Sequence, residues 1–155
     1  MDIKEIQHML ERCELFKGLE KTDIEKIADI CRADIYDVGE YIFHQGEIGE
    51  LIYIIAEGHV CLERSMDLGT RKGNIVIGML GAGRAFGCWS TLLDEPHDLM
   101  SSARCKKSAK LIVISGAGLR RILLEDFELG FKVMEKICLL LRDRIQGAWG
   151  AMEKI

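Results

Sequence analysis

VGEYIFHQGEIGELIYIIAEGHV, residues 38–60, is the stretch that decides the fold. Glycines stand at positions 39, 46, 49 and 58, and the residues between them are rich in Ile, Tyr and Val. Glycine adopts the positive φ that tight turns require, and runs of β-branched and aromatic residues bounded by such turns are typical of β-strands. Residues 51–56 are almost wholly apolar, which suits a strand covered on both faces. The stretch therefore predicts short strands joined by glycine turns.

The same two-residue period extends on both sides of this stretch, from about residue 34 to residue 115. Segments such as NIVIGML and KLIVIS are separated by further glycines at 69, 73, 81 and 83, and DLGTRKGN, residues 67–74, predicts a hairpin tip. Many short strands with regular turn signals favour an antiparallel sandwich, jelly roll or small barrel.

Helical periodicity flanks this β-region. Near the N-terminus, TDIE predicts a second helix whose Thr22 and Glu25 form a reciprocal capping box, and Ser115 is a candidate cap for the helices that follow the strands. We therefore predict one α+β domain, mainly β, over 1–155. It consists of N-terminal helices over 1–33, an antiparallel β-roll or jelly roll over 34–115 and C-terminal helices over 116–155. A first helix is predicted by the spacing of Ile3, Ile6, Met9, Leu10 and Cys13.

The last helix carries the most regular pattern in the chain. Its apolar residues are spaced alternately by three and four positions, as in a heptad seam. A helix packed on its own roll gives a similar stripe over short windows, but Ile137, Leu140 and Trp149 add apolar surface beside it. We therefore predict a homodimer through this helix. The seam residues are Phe131, Met134, Cys138, Leu141, Ile145, Ala148 and Met152.

Composition excludes several function classes. The 155 residues carry a net charge of −4, which argues against general nucleic-acid binding. An apolar run of about 18 residues, which a membrane span needs, is missing, and the charged N-terminus is unlike a secretory signal. We expect a cytoplasmic protein that contacts neither membrane nor DNA directly.

Catalytic and metal-binding patterns are also missing from the sequence. The six cysteines show no C-x-x-C pair, and the four histidines are scattered, so we expect no enzyme activity, metal or cofactor. Buried reduced thiols are the favoured interpretation of the cysteines. A redox role for Cys88 and Cys105 is the alternative.

Residues 38–60 resemble the opening strands of the cyclic-nucleotide-binding domain family, which carries glycines and apolar residues in this arrangement. LFKGL at 15–19 and GAGRAFG at 81–87 are also similar to that family. The resemblance implies that residues 86–105 correspond to the phosphate-binding cassette. There, backbone amides and an Arg hold the cyclic phosphate, and a Glu accepts a hydrogen bond from the ribose.

This chain departs from the cassette at both charged positions. Cys88 stands at the Glu position and Leu99 at the Arg position, whereas the amides of residues 87–90 are expected to remain available. Alternation places Arg104 on the opposite strand face. The resemblance implies that the last helix lines the pocket, so Arg144 on that helix is the better substitute cation. The candidate ligand-binding residues are Phe86, Gly87, Cys88, Trp89, Ser90, Leu99, Met100, Ser101 and Arg144.

Two functions are compatible with these departures. The first is a sensory or regulatory module that binds cyclic nucleotides weakly or not at all and holds an unidentified small ligand or none. The second is the effector domain of a catabolite-activator-like transcription regulator, whose helix-turn-helix part is absent or lies outside this chain. A protein partner is compatible with either function.

Overall fold

The computed structural model describes residues 1–67, 69–70, 72–95 and 97–154, and the side chains of Ser90 and Thr91 lie outside the described part. Within these residues four α-helices flank eight strands. The helices are α1 (Ile3–Arg12), α2 (Lys21–Ala28), α3 (Gly116–Glu125) and α4 (Phe127–Met152). The strands are β1 (Cys31–Tyr36), β2 (Tyr41–Phe43), β3 (Ile48–Gly49), β4 (Leu51–Asp67), β5 (Lys72–Leu80), β6 (Ala85–Gly87), β7 (His97–Asp98) and β8 (Ser102–Ser115). A short 3-10 helix, Trp89–Leu93, follows β6.

The strands form an antiparallel roll. The main sheet has the order β1-β8-β4-β5, with β2 added to β8 and β6 added to β4, while β3 and β7 pair separately. Helices α1 and α2 precede the roll, and α3 and α4 follow it. The predicted fold class, an antiparallel β-roll flanked by helices, is confirmed.

The two central strands are longer than the sequence predicts. Gly58 was expected to end a strand, but β4 continues through it for 17 residues. Gly58 has φ 94°, and the pairing of β4 with β8 shifts register on both sides of it. A Cβ at this position would collide with the carbonyl oxygen of Ser108 on β8. This glycine therefore allows an irregularity inside a continuous strand rather than a turn between two strands.

The central strands separate two apolar cores. Ile52 and Ile54 of β4 pack with α1, α2, α3 and α4, whereas Tyr53 and Ile55 face the interior of the roll. Each fully buried apolar side chain of this size contributes about 1.5–3 kcal/mol. The expectation that this strand is covered on both faces is correct.

The helix caps only partly follow the sequence prediction. The predicted Thr22–Glu25 box is wrong, because α2 begins at Lys21 and its N-cap is Glu20. Lysine is a better helix former than threonine, so the helix starts earlier. The first helix carries the reciprocal box instead, with Asp2 and Glu5 each accepting the other's backbone N–H at 2.9 Å. Ser115 does cap α3, since its Oγ accepts from Gly118 N–H at 3.2 Å.

Helix α4 presents two different apolar faces. Its inner face, with Leu129, Val133, Ile137 and Leu140, is buried against the rest of the chain. The predicted seam lies on other faces of the helix. Phe131, Cys138, Ile145 and Met152 are exposed, and Met134, Leu141 and Ala148 are half-buried. No helix in the described part of the chain is long and apolar enough to cross a membrane.

Candidate functional site

A cavity of about 320 Å³ lies between the roll and α4. Eight of the nine predicted ligand-binding residues line it, and the ninth, Ser90, has its side chain outside the described part. The structure therefore brings the predicted residues together around one cavity. The predicted residues at the wall are Phe86, Gly87, Cys88, Trp89, Leu99, Met100, Ser101 and Arg144.

Backbone hydrogen bonds from residues 46 and 47 hold one arm of the cassette. The backbone N–H of Leu99 donates to the carbonyl of Glu47 at 2.8 Å, and the carbonyl of Leu99 accepts from Gly46 N–H at 2.8 Å. On the other arm of the cassette, β6 is held by its pairing with β4. These backbone bonds fix Leu99 at the cavity wall whatever side chain the position carries.

Cys88 and Leu99, the two residues that we predicted to replace charged cassette residues, pack on the same glycine. A Cβ built on Gly49 would lie 2.6 Å from the Cβ of Cys88 and 2.8 Å from Cδ2 of Leu99. Both side chains are buried, with exposed fractions of 6% and 8%. The thiol of Cys88 donates to the carbonyl of His97 at 3.7 Å. This part of the wall is therefore closely packed and uncharged.

The backbone part of the cassette is less available than predicted. The expectation that the amides of residues 87–90 all remain open is wrong for Cys88, whose N–H donates to the carbonyl of Leu51 at 3.0 Å. Because β6 pairs with β4 immediately before Cys88, the N–H of this residue bonds the sheet. An incoming anion would have one amide fewer to bind.

Arg144 lines the cavity, but its guanidinium is already engaged. Nη2 donates to Oε1 of Glu14 and to the carbonyl of Ala85, both at 3.0 Å. The other oxygen of Glu14 lies 3.0 Å from Nε of Arg84, and Ala85 N–H donates to Oε1 at 2.7 Å. We call these four residues, Glu14, Arg84, Ala85 and Arg144, the Glu14 cluster. Its single carboxylate serves two guanidinium groups.

Burial governs the electrostatics of the Glu14 cluster. Desolvation lowers the pKa of the Arg144 guanidinium, the Glu14 carboxylate opposes this shift, and the neighbouring Arg84 reinforces it. The side chains of Glu14 and Arg144 are only 22% and 21% exposed. Glu14 therefore offsets part of the desolvation of Arg144, and the Glu14 cluster, with two guanidinium groups on one carboxylate, keeps a net positive charge.

Arg104 lies outside the cavity, on the strand face that alternation predicts. Its guanidinium carbon stands 5.7 Å from the centroid of the Tyr41 ring, and its Nε lies 3.9 Å from the buried carboxylate of Glu63. Arg84 belongs to the Glu14 cluster, and its side chain remains 44% exposed. Arg144 is therefore the one lysine or arginine among the described cavity-lining residues.

Several cavity-lining residues were not predicted from the sequence to face a ligand. Phe43, Leu62 and Ile77 come from three different strands, and nothing local marks them as ligand-facing. Leu141 and Ala148, assigned to the dimer seam, also reach the cavity together with Arg144. Their spacing of three and four residues places these three on one side of a helix, a signal that was present in the sequence.

Two polar residues of the cassette contribute to the mouth of the cavity. His97 and Asp98 are both exposed. Pairing of β7 with β3 nevertheless brings them to the cavity rim, where Met100 is also exposed. The mouth is therefore polar and acidic, in contrast to the apolar interior.

The described residues include no group of three His, Cys, Asp or Glu side chains that could hold a metal ion. The six cysteines are reduced. Burial raises the pKa of the Cys13 thiol to about 11 and that of Cys31 to about 12. These two thiols are thus protonated and poorly reactive near neutral pH.

Comparisons with known proteins agree with this geometry. The family model described as cyclic nucleotide-binding domain matches residues 34–126. The chain is 34% identical over 91 residues to the cGMP-dependent protein kinase egl-4 of Caenorhabditis briggsae, which covers 59% of this chain and 12% of the kinase. It is 30% identical over 113 residues to the cyclic AMP receptor protein of Thermus thermophilus, which covers 73% of this chain and 46% of that protein. The chain thus spans less than half the length of these curated relatives.

Solved structures support the fold. A cyclic nucleotide-binding domain from Methylobacillus flagellatus superposes with a TM-score of 0.80 at 19% identity, covering 99% of this chain and 84% of that one. At this identity the similarity shows the fold alone.

Proposed function

The chain belongs to the cyclic nucleotide-binding domain family, and from this we propose that it is a non-enzymatic regulatory module whose cavity binds cyclic nucleotides weakly or not at all. The observation that carries this proposal is the packing of Cys88 and Leu99 on Gly49. A cyclic phosphate entering here would meet a thiol and an isobutyl group where the family cassette offers charge.

The magnitude of the loss supports weak binding. Truncating one partner of a buried, hydrogen-bonded charge pair costs about 2–5 kcal/mol. At about 1.4 kcal/mol per tenfold change, this corresponds to roughly 30- to several-thousand-fold weaker binding. Arg144 does not compensate in this arrangement, since Glu14 and Ala85 hold its guanidinium.

Titration calorimetry with cyclic AMP and cyclic GMP tests this proposal. We expect dissociation constants above about 100 μM, corresponding to binding weaker than roughly −5.5 kcal/mol. A low-micromolar constant for either nucleotide would overturn the proposal.

We also propose that the module is a homodimer through α4. The supporting observation is the contrast between the faces of this helix. The inner face is buried, whereas Phe131 and Trp149 are 72% and 63% exposed and Ile145 is 50% exposed. Apolar residues in such a stripe are stabilised by a second copy of the helix. Sedimentation velocity at tens of micromolar should give a dimer, and a monomer would contradict this proposal.

The second candidate is the effector domain of a catabolite-activator-like transcription regulator. The 30% identity to the Thermus thermophilus cyclic AMP receptor protein favours it. The reading frame in the source genome tests it. A helix-turn-helix pattern encoded in the same frame beyond residue 155 would support this candidate, and a stop codon there would contradict it.

A further inference from the structure

From the chemistry of the cavity wall we infer that the cavity takes an uncharged, mainly apolar small molecule with a hydroxyl-type polar end. This inference rests on the proposed function, because it concerns the same cavity and assumes that a cyclic nucleotide is not its tight ligand. It goes beyond the proposed function by naming the chemical class of the ligand.

The interior of the cavity suits an apolar body. Its volume of about 320 Å³ falls within the range of roughly 300–1,000 Å³ found for small-molecule sites. Aromatic and aliphatic side chains contributed by the roll, the cassette and α4 form most of the wall. They include Phe43, Leu62, Ile77, Phe86, Trp89 and Leu141.

The wall of the cavity offers an anion few partners. Arg144 is the one lysine or arginine among the described cavity-lining residues, and its Nη2 already bonds Glu14 and Ala85, so an anionic ligand would compete with these groups for that nitrogen. The Cys88 amide is occupied by Leu51. Moving a carboxylate or phosphate from water to this largely apolar wall would therefore cost free energy that few contacts repay.

The mouth of the cavity supplies the place for a polar end. Asp98 is exposed at the rim, and its carboxylate would repel an anionic head group. A hydroxyl can donate to a carboxylate and can also accept from another hydroxyl. Ser101, half-buried at the same rim, provides such a partner. An alcohol therefore fits where a carboxylic acid of the same length does not.

The two tryptophans make this inference measurable. Trp89 lines the cavity, whereas Trp149 is outside it and 63% exposed. Trp149→Phe leaves Trp89 as the one tryptophan of the chain. Energy transfer from Trp89 to the neutral fluorophore N-phenyl-1-naphthylamine then reports binding to the protein, and variants of the cavity wall show whether the fluorophore binds there.

The first experiment displaces this fluorophore with 1-octanol and with octanoate at pH 7. Octanol should displace it at a concentration at least about tenfold lower, and Asp98→Asn should narrow that difference by reducing the repulsion of octanoate. Equal or better displacement by octanoate would overturn the inference, and so would the absence of saturable energy transfer.

A matched pair of variants locates the binding. Leu99→Arg places a cation in the apolar wall and should weaken fluorophore binding at least about tenfold while improving the relative affinity of octanoate. Leu124→Arg is the control, since Leu124 is 52% exposed and lines a separate groove between α3 and α4. Loss of binding in the control but not in Leu99→Arg would overturn the inference. If circular dichroism shows that Leu99→Arg does not fold, the displacement assay with Asp98→Asn decides whether the inference stands.

The outcomes separate this inference from the proposed function. Displacement of the fluorophore by low-micromolar cyclic AMP would refute the proposed function. Preference for octanoate, with no displacement by cyclic AMP, would refute only the inference about ligand class.

Discussion

The apolar cavity and the Glu14 cluster are adjacent but differ in charge. The cavity wall is mostly uncharged, whereas the cluster contains one carboxylate and two guanidinium groups. The cavity wall includes Cys88 and Leu99, which we predicted from the sequence to stand in place of charged cassette residues. The Glu14 cluster concentrates two guanidinium groups on one carboxylate. Arg144 belongs to both regions, because it lines the cavity while its Nη2 bonds Glu14. The difference teaches that a cation beside a pocket makes a weaker anion site when a carboxylate of the same chain already bonds it.

Restoring charge to the cavity should give the largest effect. We expect Cys88→Glu combined with Leu99→Arg to raise the affinity for cyclic AMP at least about 30-fold, because a buried charge-assisted contact is worth about 2 kcal/mol or more. Titration calorimetry measures the change. Leu99→Met, which nearly conserves volume and adds no charge, is the control and should bind as weakly as the parent. If the double variant folds but its affinity for cyclic AMP does not rise, the absence of charge in the cavity is not what weakens nucleotide binding.

Removing charge from the Glu14 cluster should come next. Glu14→Gln leaves Arg84 and Arg144 without their shared carboxylate, and we expect a loss of about 1–3 kcal/mol in the free energy of unfolding. Urea denaturation measures this loss.

The matched control for that loss is Glu11→Gln. Glu11 is 47% exposed and lies 4.0 Å from His8, so its removal should change stability by no more than about 0.5 kcal/mol. Equal effects of the two variants would show that the Glu14 cluster is no more than a surface ion pair.

The comparison extends to the outer side of α4, where the side chain of Ile145 is 50% exposed. Ile145→Glu should raise the dimer dissociation constant at least about tenfold, because association would then bury a charge on the seam. Gln146→Glu, which adds the same charge at an exposed neighbour, is the control. Sedimentation velocity distinguishes them, and a dimer unaffected by Ile145→Glu would place the interface elsewhere.

The smallest effect should appear where the two regions meet. In Glu14→Gln the guanidinium of Arg144 is released at the cavity wall, so the affinity for octanoate should rise about threefold, the equivalent of roughly 0.6 kcal/mol. The fluorophore displacement assay measures it. An unchanged or lower affinity would mean that Arg144 does not reach the cavity interior even when released.

Local sequence signals predicted the fold and, with the family resemblance, named residues that line one cavity. The glycines and apolar alternation of residues 38–60 specified antiparallel strands, and the family resemblance located the cassette. Gly58 was misinterpreted, because a glycine that ends a strand and one that lets a strand pass a close neighbour look alike in sequence. The difference depends on Ser108, which lies 50 positions away.

The Glu14 cluster was not predicted for the same reason. Its central ion pair joins residues separated by 130 positions, and Glu14 follows α1 in a turn with no motif of its own. Alternation could place Arg104 outside the cavity, since strand geometry is local. It could not show that Arg144 is held by a carboxylate from the opposite end of the chain.

The most direct test of the central claim is a crystal structure of the protein soaked with cyclic AMP. We predict no ordered nucleotide in the cavity, with Leu99 packed on Gly49 and Arg144 still bonded to Glu14. A nucleotide with its phosphate on the backbone amides of the cassette, or with Arg144 turned from Glu14 to that phosphate, would contradict the account.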